Sequence, residues 1–264
     1  MQEIDLSKKL RFIAKLCLAF PLFASFMNVS FASDLQVSAA SSLSNAFKAI
    51  AQRYQQINPA TKIQFNFGAS GALLQQLAKG APIDVFATAD QETMDAATKQ
   101  ELILQGERKN FIRNALVVVQ AKTSTIPLNS LEGLTQTSVK RIAIGNPASV
   151  PAGRYAMHAL TQAKLEATLA PKFINTLNVR QALDYVAREE VEAGFVYASD
   201  AAIMSDKVKV SFMVPLSEDL LYPVAISKEL QKDANKLKEA KSFVQFLLSA
   251  EAQAILLKYG FKKI

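Results

Sequence analysis

Hydrophobic residues gather in eight short blocks along the chain, and most of the stretches between them carry a helical period. The blocks at 35–40, 62–67 and 83–87 read as strands. Between them Leu43, Ala46, Phe47, Ile50, Ala51 and Tyr54 fall on one face of a helix, followed by Leu73, Leu74, Leu77 and Ala78 on another. Asp90 then caps a helix with Met94 and Ala97 turned inward. A second series starts with the strand 114–120 and continues through strands at 141–144, 194–197 and 208–214. Its helices open at Ala152 and at Val179, the latter with Val179, Ala182, Leu183 and Val186 on one side. The block 220–226 is again a strand. The tail after Ser227 is helical, with Phe243, Phe246, Leu247, Ile255, Leu256 and Leu257 as its apolar positions.

Strands alternating with helices predict an α/β protein with mostly parallel, doubly wound sheets. The simplest path crosses from one lobe to another near Asn114 and returns near Tyr222. That path assigns 34–113 with 225–264 to a first lobe and 114–224 to a second.

The run Gly-Asn-Pro-Ala-Ser-Val-Pro-Ala-Gly-Arg-Tyr at 145–155 follows a strand and leads into a helix opened by Pro151. Ligands of open α/β sheets settle at such carboxyl-end junctions, and the free amides of a helix start favour an anion. The same device recurs at Ser41-Ser42-Leu43, at Gly68-Ala69-Ser70-Gly71 and near Val179. Small or hydroxyl residues there let backbone approach a guest closely.

Residues 1–32 stand apart. Lys8, Lys9, Arg11 and Lys15 precede an apolar run from Leu16 to Met27, and Ser30-Phe31-Ala32 fits a small-x-small cleavage pattern. This predicts a secretory signal peptide and a periplasmic mature protein. Cys17, the only cysteine, lies inside that segment, so the mature chain has neither a disulfide nor a catalytic thiol. Removing four basic and two acidic residues lowers the formal net charge from +7 to +5. That biases encounters toward anions without implying nucleic acid, since no basic cluster is interleaved with aromatics.

Catalysis finds little support. His158 is the only histidine, and neither a Gly-x-Ser-x-Gly elbow, a metal-spaced histidine cluster nor a P-loop is present.

Seven fragments in order carry a resemblance. They are Ala-Ala-Ser-Ser-Leu at 39–43, Gly-Ala-Pro-Ile-Asp-Val-Phe at 80–86, Gly-Asn-Pro at 145–147 with Val-Pro-Ala-Gly at 150–153, and Val-Arg-Gln-Ala-Leu at 179–183. Val-Tyr-Ala-Ser-Asp at 196–200, Tyr-Pro-Val-Ala at 222–225 and Lys-Tyr-Gly-Phe at 258–261 complete the set. On these the chain resembles the periplasmic molybdate-binding proteins of ABC transporters. The resemblance implies a two-lobed periplasmic-binding-protein fold of type II, with crossing hinge strands. It further implies a monomer that captures molybdate or tungstate and delivers it to an ABC permease, without a cofactor and without enzymatic activity. By motif it places the oxyanion on Ser42 and Ser70 of the first lobe and on the amides of Ala152 and Val179 and the hydroxyl of Tyr197 in the second. The metal would be held only through its oxygens.

Such a set suits a proton-free tetrahedral dianion, because every group in it can donate. A monohydrogen phosphate would bury an OH without an acceptor, at a cost of about 1–3 kcal/mol. Sulfate shares the absence of protons, so its exclusion would rest on cavity size. A binding protein for another tetrahedral oxyanion, such as sulfate or thiosulfate, is the alternative reading. Taken singly, Ser42 and Ser70 also read as helix caps, Ala152 and Val179 as core, and Tyr197 as a packed strand aromatic. Arg180 and Asp200 read as an ion pair or caps, whereas Arg154 would add a cation to the cleft if it leaned inward.

Overall fold

The computed structural model describes residues 33–264, so the expected signal segment at 1–32 lies outside the described residues. The chain opens with β1 (Ser33–Ala40), a 3-10 turn (Ser41–Leu43) and α1 (Ser44–Ile57). Next come β2 (Thr61–Gly68), α2 (Ser70–Ala78), β3 (Val85–Ala87), α3 (Gln91–Lys99) and β4 (Lys109–Asn114). A second run holds β5 (Leu116–Ala121), β6 (Ile142–Gly145), α4 (Pro151–Gln162), α5 (Glu166–Leu169) and β7 (Phe173–Thr176). It continues with α6 (Val179–Ala187), β8 (Ala193–Tyr197), α7 (Ala198–Ile203) and β9 (Val208–Met213). The end of the chain is β10 (Leu220–Ile226), α8 (Ala234–Leu247) and α9 (Ala250–Lys258).

Two five-stranded sheets result, in the orders β2-β1-β3-β10-β4 and β7-β6-β8-β5-β9. In the first, β1 is parallel to β2 and β3, and β10 runs antiparallel between β3 and β4. In the second, β6 is parallel to β7 and β8, and β5 runs antiparallel between β8 and β9. Each sheet is thus a parallel core with one antiparallel strand inserted beside it. This is the α/β arrangement expected from the alternation of elements.

The chain passes from the first sheet to the second at Ala115, between β4 and β5, and comes back between Met213 and Leu220. The return therefore precedes the boundary at residue 225 that the hydrophobic pattern suggests. All of β10 belongs to the first sheet, because Val224, Ala225 and Ile226 pair with β3 and Leu220 to Tyr222 pair with β4.

The helices cover the sheets through apolar stripes of the expected spacing. On α1, Ala46, Phe47, Ile50, Ala51 and Tyr54 are buried, and the Phe47 ring lies 5.8 Å from Phe111 of β4 and 6.5 Å from Phe243 of α8. On α6, Val179, Ala182, Leu183 and Val186 form the buried face. Where α4 meets β6 the packing is tight enough to demand glycine. A Cβ on Gly153 would stand 1.8 Å from the Gly145 carbonyl oxygen. That approach lets the start of α4 sit directly over the end of its own strand.

Candidate functional site

All five residues expected to bind the anion lie at carboxyl ends of parallel strands. Ser42 follows β1 in the 3-10 turn, and Ser70 follows β2 as the first residue of α2. Ala152 is the second residue of α4 after β6, Val179 the first of α6 after β7, and Tyr197 the last of β8. Every one of them is buried.

Contacts between their neighbours bring the two sheets' ends face to face. The Gly71 amide, in the first turn of α2, donates to the Ser149 carbonyl just ahead of α4 at 3.0 Å. Arg180 of α6 donates through Nη2 to the Ser42 carbonyl at 3.1 Å and through Nη1 to Asn45 Oδ1 at 2.9 Å. The Tyr197 ring meets the Tyr222 ring of β10 edge-on at 5.7 Å, and Tyr222 in turn bonds Ser42. These contacts tie the first sheet's strand ends to the second's beside the five residues.

The polar inventory of those five residues is one-sided. Ser42, Ser70, Ala152 and Val179 occupy first-turn positions, where a helix has no acceptor for its own amides. None of these four amides finds another acceptor among the described residues. At α6 the cap itself enforces this: Asn178 Oδ1 accepts from the Arg180 and Gln181 amides at 3.0 and 3.1 Å and leaves Val179 free. Ser70 Oγ accepts from the Ala89 amide at 3.0 Å. The Tyr197 hydroxyl is buried without any partner among the described residues. A buried hydroxyl without a partner costs about 1–3 kcal/mol, so Tyr197 carries an unmet need for an acceptor.

Burial, reinforced by the neighbouring Tyr222, Tyr155, Asp90 and Asp200, pushes the Tyr197 phenol well above its ordinary value. Burial raises Tyr222 in the same way. Both therefore stay protonated, and Tyr197 is available only as a neutral hydroxyl.

The charged residues nearby are occupied with one another. Arg154 does not lean into the crevice. Its guanidinium turns to the start of α3, where it pairs with Asp90, donates to Thr93 Oγ1 at 2.8 Å and lies 3.3 Å from Glu92. It also donates to the Pro147 carbonyl at 3.1 Å. Asp90 still caps α3 by accepting from the Thr93 amide at 3.3 Å, so one carboxylate serves both the helix and the opposite sheet's arginine. Arg180 and Asp200 pair at 2.6 Å, with Asp200 fully buried, which is the ion pair their positions suggest. His158 is exposed on α4.

Several contributors escape a reading of sequence. Tyr222 and Asn114 reach the site through strand pairing, and the Ala89 amide comes from the loop after β3. The Tyr-Pro pair at 222–223 and the polar Asn114 at the crossover are the signals that could have singled them out. Among the described residues no group of three or more His, Cys, Asp or Glu is placed to hold a metal ion.

Comparison with known proteins gives the family. Residues 35–262 match the family described as bacterial extracellular solute-binding protein. The molybdate-binding protein ModA of Escherichia coli is 35% identical over 232 residues, which cover 86% of this chain and 88% of that protein. ModA of Haemophilus influenzae is 30% identical over 247 residues, covering 91% and 95%. Among solved structures, the periplasmic molybdate-binding protein of Azotobacter vinelandii superposes with a TM-score of 0.76 over 86% of this chain and 98% of that one, at 24% identity. The sulfate-binding protein SubI of Mycobacterium tuberculosis, 14% identical with a TM-score of 0.77, shares the fold. A match over nearly the whole described chain, on a scaffold whose strand ends converge on hydrogen-bond donors, places this protein among the bacterial extracellular solute-binding proteins, which capture solutes outside the cytoplasm and are not enzymes.

Proposed function

We propose that this protein captures molybdate, and tungstate equally well, in the crevice between two lobes and delivers it to an ABC permease in the inner membrane. The first lobe comprises residues 33–114 with 220–264, the second residues 116–214. Ser42 and Ser70 hold the anion from the first lobe, and the Ala152 and Val179 amides with the Tyr197 hydroxyl hold it from the second. The mature protein is a periplasmic monomer that binds no nucleic acid and carries no cofactor.

The observation that carries this reading is the Tyr197 hydroxyl, buried and unpartnered beside amides that also lack acceptors. A guest that fits must accept at every face, which describes an unprotonated tetrahedral oxyanion. The curated relatives' names supply the choice of molybdate. Helix starts provide partial positive charge without a buried cation, so the anion can leave again toward the permease.

A thermal-shift panel of molybdate, tungstate, sulfate, thiosulfate and phosphate on the mature protein tests the reading. Ligand at about a thousand times its dissociation constant stabilises the closed form by about 4 kcal/mol. For a chain of this size that corresponds to a rise of about 10 °C in melting temperature. Molybdate and tungstate should give it, whereas sulfate and phosphate, bound far more weakly, should give a much smaller rise at the same concentration. An equal rise with sulfate or thiosulfate would move the assignment to that oxyanion.

A further inference from the structure

Donor-only recognition requires that a serine hydroxyl, which can accept as readily as it donates, be prevented from turning round. The hydrogen bonds behind Ser42 do this, and their direction can be worked out from one fixed end. Asn114, buried at the end of β4, has its Oδ1 against the amides of Ala115 and Ser199 at 2.9 and 3.4 Å. Both of those groups can only donate, so the side-chain oxygen must face them and the Nδ2 group must face the other way. Nδ2 spends its two hydrogens on Ser199 Oγ at 2.8 Å and on the Tyr222 hydroxyl at 3.3 Å.

Tyr222 therefore receives a hydrogen from Asn114 and keeps its own. The remaining hydrogen-bond partner of its hydroxyl among the described residues is Ser42 Oγ, 3.0 Å away. Tyr222 donates there. One of the two lone pairs of Ser42 Oγ is thus taken by Tyr222, and its own hydrogen, which has no protein acceptor among the described residues, is left for the crevice. Ser70 is set in the same sense more simply, since its Oγ accepts the Ala89 amide at 3.0 Å.

We infer that Asn114 and Tyr222 are positioning residues that fix the Ser42 hydroxyl as a donor toward the bound oxyanion, and that this wiring helps the site to refuse oxyanions carrying a proton. The inference rests on the anion-binding role proposed for Ser42. Neither Asn114 nor Tyr222 touches the ligand. Their effect falls on the ratio of affinities for molybdate and for hydrogen phosphate, two anions of equal charge at mildly alkaline pH.

The sharpest variant is Asn114→Asp, which keeps the shape and reverses the chain. One carboxylate oxygen still accepts the two amides. The other now accepts a hydrogen bond from Tyr222, Tyr222 accepts from Ser42, and Ser42 is left facing the crevice as an acceptor. The added negative charge repels both anions alike, so the ratio isolates the wiring. Tyr222→Phe is the milder companion, removing one oxygen and freeing Ser42 to rotate either way.

Isothermal titration of the wild type and both variants with sodium molybdate and with inorganic phosphate, at pH 8, gives the readout. The molybdate-to-phosphate affinity ratio should fall by about tenfold in Tyr222→Phe, as for one hydrogen bond to a charged group, and by more in Asn114→Asp. A merely structural role would lower melting temperature and both affinities together without moving the ratio. If the wild type binds molybdate and Tyr222→Phe, folded by circular dichroism, keeps the wild-type ratio, the wiring is wrong although the function stands. If the wild type does not bind molybdate, the functional reading itself fails, and the inference with it.

Discussion

The two sides of the crevice offer the same chemistry by different means. On the first sheet's side the donors include the hydroxyls of Ser42 and Ser70, each held from behind by a protein donor. On the second sheet's side Ala152 and Val179 contribute only backbone, and their side chains are buried in the core away from any polar role. A side-chain donor needs a second group to set its direction, whereas an amide at a helix start is aimed by the helix itself. The first side can therefore be retuned by mutation of its supporting residues. The helix-start amides of the second side are indifferent to the side chains of their own residues and vulnerable to changes of backbone.

Separating the two sides is the largest expected perturbation. Arg154 belongs to the second side and its carboxylate partner Asp90 to the first, with side chains only 14% and 4% exposed. Opening the crevice breaks this pair, so it favours closure, and removing the arginine leaves Asp90 without its counter-charge when the crevice shuts. Arg154→Ala should weaken molybdate binding by about 3 kcal/mol, the low end for stripping one partner from a buried pair. The loss should be equal for tungstate, because Arg154 is not among the proposed anion ligands and its guanidinium is taken up by Asp90, Thr93 and Pro147. Titration calorimetry checks the size, and small-angle scattering with ligand should show a larger open fraction. An unchanged affinity would mean that the anion alone holds the sides together.

A backbone change on the second side comes next. Val179→Pro deletes one donor at the first position of α6, where proline is tolerated, and the preceding Asn178 is already extended at φ −163° and ψ 170°. The helix should form normally while binding weakens by about 2 kcal/mol, the value of a hydrogen bond to a charged group. Val179→Ala, which keeps the amide, should leave affinity almost intact. Equal losses in the two variants would show that the valine side chain matters and would dissolve the contrast between the sides.

Much of the architecture was legible from apolar spacing because buried helices and central strands must repeat it. The stripe at Ala46, Phe47, Ile50, Ala51 and Tyr54 and the block at 142–144 lie in the core as their pattern requires. Strands β4 and β7 were not legible. In Lys109–Asn114 four of six residues are polar, and β4 and β7 each close one edge of a sheet, where a strand needs apolar residues on one face at most. The first-turn amides could be anticipated from strand–loop–helix punctuation. The hydrogen bonds behind Ser42 could not, since they join residues 180 and 108 positions apart through the pairing of β10 with β4. The return of the chain before Leu220 was hidden for the same reason: an apolar strand reads alike in either sheet.

Tyr197 gives the smallest of the three effects and the most telling sign. It lies on the second side, yet it donates through a side chain, and no group behind it sets its direction. On the proposed reading, Tyr197→Phe removes a hydrogen bond to the anion and, at the same time, a buried hydroxyl that goes unpaired whenever the crevice closes empty. The two changes partly offset, so binding should weaken by only about 1.5 kcal/mol, the low end for a charged acceptor. The melting temperature of the ligand-free protein should hold or rise, whereas loss of an ordinary core hydrogen bond would lower it. Burial raises the phenol above its usual value, and a group raised in this way stays protonated until pH passes that higher point. The difference in affinity between wild type and Tyr197→Phe should therefore remain constant from pH 7 to pH 9. A deficit that shrinks as pH approaches 9 would mean that the hydroxyl ionises early, and would place Tyr197 in a wetter setting than its burial describes.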